Sequence, residues 1–199
     1  MVAHRGWVTD DQREMTVDQN ERLLQHDRWM TNLMMDAAAK LDDAALDQEF
    51  EIGHRTVRQT LDHITVGIEF WTPLMVGEPG PWEPNPTDVE TMRARQSVAY
   101  DRFEAVARQV IADGRLDDVF TDPWEYSQSL GATILHVMLH SHVHRSELLH
   151  MFQRLGFSEF TQGDPQEWEH MAGITAPLLE PDIVAPVRLS ASNDSGRSG

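Results

Sequence analysis

Cysteine is absent from the 199 residues, and that excludes disulfides, thiolate metal ligands and a cysteine nucleophile. Lysine is nearly absent, with Lys40 the only one, so positive charge rests on arginine. The 16 basic residues face 33 acidic ones, for a formal net charge of −17. A phosphate backbone would be repelled by such a surface, so nucleic acid is not an expected partner. No stretch approaches the ~18–20 apolar residues of a spanning helix. With a mean hydropathy of −0.46, no membrane role is expected. The opening MVAHRGWVTDDQRE has no apolar segment of the secretory kind. The expectation is a soluble, cytoplasmic protein. The chain also has no G-x-S-x-G elbow, no Walker loop and no G-x-G-x-x-G, which removes the common nucleophile and nucleotide motifs.

Hydrophobic residues make up 40% of the chain, enough for one real core, and they follow a helical period. A helix is expected from Thr16 to about Leu41, opened by the capping box TVDQ. The acidic stretch from Leu41 to Gly53 reads as a connection. A second helix should run from Thr56, again a capping box (TVRQ), to about Val76. Its core stripe is Val57, Leu61, Ile64, Ile68, Trp71 and Met75. Beside that stripe lie Thr56, Thr60, His63, Gly67, Phe70 and Leu74, small and polar residues alternating with an aromatic. Such a row suits the lining of a cavity, with His63 in its middle.

GEPGPWEPNP cannot continue a helix. A third capping box, TDVE at Thr87–Glu90, should start a helix that Asp113-Gly114 ends. Residues 116–131 read as irregular, with Pro123, Trp124 and Tyr126 packing across one end. A fourth helix follows, from about Ser129 to Leu155, and DPQEWEHMAG forms a short extra one. The expected fold is all-α, an antiparallel four-helix bundle without a convincing strand. Its expected parts are a flexible arm (1–15), the bundle (16–156), a C-terminal extension packed on it (157–188) and a disordered tail (189–199).

The fourth helix concentrates the chemistry. Five of the ten histidines fall between Gly131 and Gly156, and His136, His140 and His144 recur every fourth residue on one face. Imidazoles crowded on an apolar helix are costly to desolvate unless their nitrogens are used, and a metal uses them well. Three such rings span about 12 Å along the axis, too far to share one ion held at about 2.1 Å. Two must therefore be chosen. His63, on the second helix, can face them across a bundle. Glu147 lies three residues past His144 within the same angular span, placed to orient a ligand or accept a proton. His4, His26, His54, His142, His150 and His170 show no partner by spacing and read as structural or surface residues.

Three segments, LLQHDRWMTNLMMDAA, TVRQTLDHITVGIEFW and ILHVMLHSHVHRSELLHMFQRLG, resemble the DinB-like family of bacterial DNA-damage-inducible metalloproteins. The most specific parts are T-L-x-H-I, ending at His63 and Ile64, and H-V-x-x-H-x-x-x-H-R, from His136 to Arg145. The resemblance implies a homodimeric four-helix bundle holding a divalent metal, zinc or nickel foremost, through His63, His140 and His144. It departs from the family at Leu139, Ser146 and Glu147, where asparagine, glycine and glutamine are common. Characterised relatives tend to be thiol-dependent transferases or isomerases that use bacillithiol or mycothiol. The resemblance therefore implies a metal-dependent thiol S-transferase acting on a small electrophile. By its position beside His144, Glu147 is the candidate catalytic residue, with Glu147 or a water moving the proton. A non-catalytic metal-binding stress-response protein and a metal-dependent hydrolase are the alternatives. Having no cysteine fits a thiol that arrives as a cosubstrate.

Overall fold

A computed structural model describes residues 18–80, 83–157 and 163–174. The expected arm, the expected tail and most of the C-terminal extension lie outside the described residues. The fold is mostly helical. Four long helices, α1 (Gln19–Ala38), α3 (Val57–Leu74), α4 (Val89–Ala112) and α5 (Leu130–Arg154), are joined by the short α2 (Asp43–Leu46) and followed by α6 (Pro165–Met171).

Side-chain oxygens terminate these helices where the sequence offers them. Thr56 caps α3 by accepting from the Gln59 amide at 3.1 Å, and Ser129 caps α5 by accepting from the Ala132 amide. Two expected caps shift. Asp88, not Thr87, accepts from the Thr91 amide and starts α4. Asp18 accepts from the Asn20 and Glu21 amides and starts α1, while Thr16 lies outside the described residues. Aspartate caps as well as threonine does, and a carboxylate also complements the positive helix end. The acidic stretch after α1 is not all connection, since Asp42 caps the single turn of α2.

A second difference lies between α4 and α5. The stretch expected to be irregular pairs as an antiparallel hairpin, β1 (Val119–Thr121) with β2 (Ser127–Ser129), Phe120 opposite Gln128. Three residues per strand are too few for a period-2 pattern to show. The hairpin is built by Asp122, 5% exposed, whose Oδ1 accepts from the amides of Trp124 and Tyr126 and whose Oδ2 accepts from Gln128.

α3 packs against α4 and α5, and α1 against α5, α4 and α3. The core between them is filled by Leu24, Met34, Met35, Leu61, Ile64, Ile68, Met92, Phe103, Leu148 and Phe152. Through it runs one buried polar cluster. Arg145 on α5 donates to the Asp27 carboxylate and to the Thr31 hydroxyl on α1, and the Tyr100 hydroxyl on α4 donates to Asp27. Burial raises the Asp27 carboxyl above its usual range, against the pull of the Arg145 guanidinium. α6 lies against α1, where its Trp168 is buried, Arg22 pairs with Glu169, and the His26 ring donates to the Gly163 carbonyl.

Candidate metal centre

The α3–α5 packing sets His63 opposite the histidine face of α5. The Nε2 atoms of His63 and His140 are 2.9 Å apart, and those of His140 and His144 are 3.2 Å apart. Nitrogens bound to one tetrahedral ion at ~2.0–2.1 Å stand about 3.3 Å from each other. The observed separations are slightly shorter than that and suit a shared cation.

Glycine permits this approach. A Cβ at Gly67 would lie 3.0 Å from Cε1 of His140, so the ring nests on α3 where no side chain stands. Glycine inside a helix costs about 1 kcal/mol relative to alanine, a cost that the close ring contact explains.

His54 joins the cluster, which the sequence reading did not expect. Its ring stacks on His63 with centroids 3.6 Å apart and meets His144 edge-on at 5.1 Å. One nitrogen from each of His54, His63 and His144 fits within a 4.8 Å group that could hold a metal ion. His54 sits in the loop before α3, between Gly53 at φ +47° and Arg55 at φ +72°. A bulky residue such as arginine in the left-handed region is strained, and here the turn aims His54 inward. The Phe50 amide bonds the Arg55 carbonyl at 2.7 Å, and the Arg55 amide bonds the Ile52 carbonyl, closing that turn. No helical period reaches a loop residue. The only signal in the sequence was its place two residues before the Thr56 cap.

Glu147 accepts from Nδ1 of His144 at 2.8 Å. With that proton committed, Nε2 of His144 presents its lone pair to the cluster, as in carboxylate–histidine–metal arrangements. A Cβ at Gly53 would collide with the Glu147 carboxylate, so the loop and the carboxylate share one small space. His136 stays apart. It packs edge-on against Trp71 at 5.1 Å, with its ring centroid 5.6 Å from that of His140.

His54, His63 and His140 are held neutral. Burial, reinforced by the neighbouring histidines, lowers His63 to about 3 and His140 to about 4. Burial also lowers His54, with His144 adding to the effect and Glu147 opposing it. Neutral imidazoles keep the lone pairs that a metal needs, so protons compete weakly with it at neutral pH. One N–H cannot serve both Nε2 contacts of His140 well, and the three histidines whose nitrogens all lie within 4.8 Å of one another are His54, His63 and His144. The donor set therefore fits a divalent metal.

Beside the centre opens a pocket of about 260 Å³, lined by His63, Val66, Gly67, Phe70, Trp71, Pro123, Trp124 and His140. Three of the residues expected to line a cavity, His63, Gly67 and Phe70, do so. The hairpin closes it with Trp124, whose ring centroid is 5.5 Å from that of Phe70.

A mostly helical protein with histidines of two helices and one loop converging on a single point defines a candidate metal-binding protein. The sequence model of the DinB family matches residues 15–169, and the chain belongs to that family. A search of curated proteins finds no match.

Proposed function

We propose that this protein is a metal-dependent enzyme of the thiol S-transferase type, acting on a small electrophile. The observation that carries the reading is the chain of Nε2 contacts from His63 to His140 to His144, with His63 and His140 also lining an apolar pocket. In this reading the four long helices form an antiparallel bundle, residues 16–156, on which the C-terminal extension docks through α6. His63, His140 and His144 are the ligands of a divalent ion, zinc or nickel. Three neutral ligands leave the ion its full charge and an open position, where it lowers the pKa of a bound thiol or water.

The chain's own residues supply the rest. Glu147 fixes the tautomer and tilt of His144, and its Nδ1 contact supports that orienting role over direct proton transfer to substrate. Phe70, Trp71 and Trp124 exclude water from one side of the centre. The thiol, bacillithiol or mycothiol in kind, comes from solution. A cytoplasmic location accords with that, and among the described residues no helix is long and apolar enough to cross a membrane. A homodimer accords with the stripe of Leu135, Leu139 and Val143, each more than half exposed along α5.

Metal analysis of the purified protein, followed by thiol-transfer assays of metal-loaded wild type and a His144→Ala variant, tests the proposal. Equal activity in both would sink it.

His54 favours a second reading. A fourth imidazole on the centre would close the coordination sphere, as in structural sites, and leave a non-catalytic metal-binding stress protein. Cobalt-substituted protein separates the two. If His54 is bound, His54→Ala changes the visible cobalt spectrum. If the position is open, the spectrum is unchanged and exogenous azide shifts it in both proteins. A metal-activated water without thiol, and so a hydrolase, would show as turnover of activated esters in the thiol-free control.

A further inference from the structure

The pocket beside the centre carries information about its occupant. Among the described residues no charged side chain lines it, and its walls are Val66, Pro123 and the rings of Phe70, Trp71 and Trp124. Among the described residues, the titratable side chains lining it are His63 and His140, both at the metal end. A cavity of ~150 Å³ suffices for benzene, and drug-sized ligands occupy about 300–1,000 Å³. At about 260 Å³, this pocket matches one ring with a short substituent. It is too small and too apolar for a glycosylated thiol with its hydroxyls and carboxylates.

The wall is a constructed one. Trp124 is 61% exposed, an unusual state for tryptophan, at the tip of a hairpin whose Phe120 packs on the core. Asp122 ties that hairpin through three hydrogen bonds, and Trp124 leans on both Phe70 and Trp71 at centroid separations of 5.5 and 6.3 Å. The rings are tilted by 43° and 51°, not stacked, so their faces are left for a guest.

We infer that this pocket binds the uncharged, flat apolar body of the electrophile, a single aromatic or similarly flat ring, with the reacting atom toward His63 and His140. Trp124 is the specificity-determining residue. An anionic body would lose its hydration against a wall that offers no cation, on a chain of net charge −17. A cationic body would oppose the divalent ion at the floor. The reactive end of this inference rests on the proposed metal chemistry, while the apolar end stands on the pocket alone.

The test has one arm for each. In metal-free full-length protein, the ¹⁹F line of 4-fluorotoluene should broaden on binding, and Trp124→Ala should weaken that binding about tenfold. Thermal melts of the variant, altered only at an exposed hairpin tip, check that it folds. In metal-loaded protein, 4-phenylimidazole should bind at least tenfold tighter than imidazole, and 4-(imidazol-4-yl)benzoate no tighter than imidazole. Trp124→Ala should remove the phenyl gain and leave imidazole affinity unchanged. Fluorotoluene binding with no azole binding would uphold the pocket and overturn the open metal position. The pocket inference is overturned if fluorotoluene fails to bind, if Trp124→Ala has no effect, or if benzyltrimethylammonium or the benzoate binds more tightly than the neutral probes.

Discussion

The carboxylate of Glu147 occupies the space that a side chain at residue 53 would need, while its Oε2 holds Nδ1 of His144 at 2.8 Å. A loop glycine and a helix carboxylate thus share responsibility for the orientation of one imidazole. Gly53→Ala should displace Glu147 as well as strain the φ +47° backbone. The expected outcome is a loss of about 1–2 kcal/mol in stability and a fall of about tenfold or more in metal affinity. Glu147→Gln, which keeps the shape, should lower metal affinity with little change in the metal-free melting temperature. Competition titration with a chromophoric chelator measures both.

Gly67→Ala should separate stability from binding in the opposite sense. Alanine is the better helix former by about 1 kcal/mol, but its Cβ would stand 3.0 Å from Cε1 of His140 and push the ring away by a few tenths of an ångström. The metal-free variant should melt no lower than wild type, yet bind metal more weakly. A variant that binds metal as well as wild type would show that His140 has slack, or is not a ligand.

The stability of metal-free protein should fall as pH drops from about 6.5 toward 4. His63 and His140 have folded-state values near 3 and 4, below the ordinary histidine value of 6.5. In that window the unfolded chain takes up protons that the folded chain refuses, so acid favours unfolding. His63→Gln should flatten this dependence when chemical denaturation is repeated across the pH range. An unchanged slope would mean that the cluster opens to solvent before the protein unfolds.

Removing Asp27 should be more damaging than any change on the surface. Arg145 is 3% exposed, its Nε has no hydrogen-bond partner, and Asp27 is its counter-charge. Asp27→Ala strands a buried cation and should cost about 3–5 kcal/mol. The paired change of Asp27 and Arg145 to leucine and methionine should cost less than Asp27→Ala alone, which a double-mutant cycle in urea will show.

Much of this could be read from the chain alone. The helical period located all four long helices to within a few residues, because each buries a continuous apolar face. The limit of about 12 Å allowed only two of His136, His140 and His144 at one ion, and the family resemblance chose His140 and His144. Where two good caps stood side by side, as at Thr87 and Asp88, the sequence could not choose between them. The hairpin was too short to show a pattern and depends on Asp122, whose partners are local but not periodic.

Composition and periodicity by themselves determined a helical, cysteine-free protein with a histidine pair on one helix and a third histidine on another. Only the tertiary structure decided that His63 meets His140 at 2.9 Å, that His54 enters the same cluster from a loop, and that Trp124 closes a pocket beside them. The reason is physical. Periodicity reports which face of a helix is buried, because burial repeats with the turn. Contacts across helices and from loops depend on packing and on single residues such as Gly53 and Gly67, and these leave no repeat in the sequence.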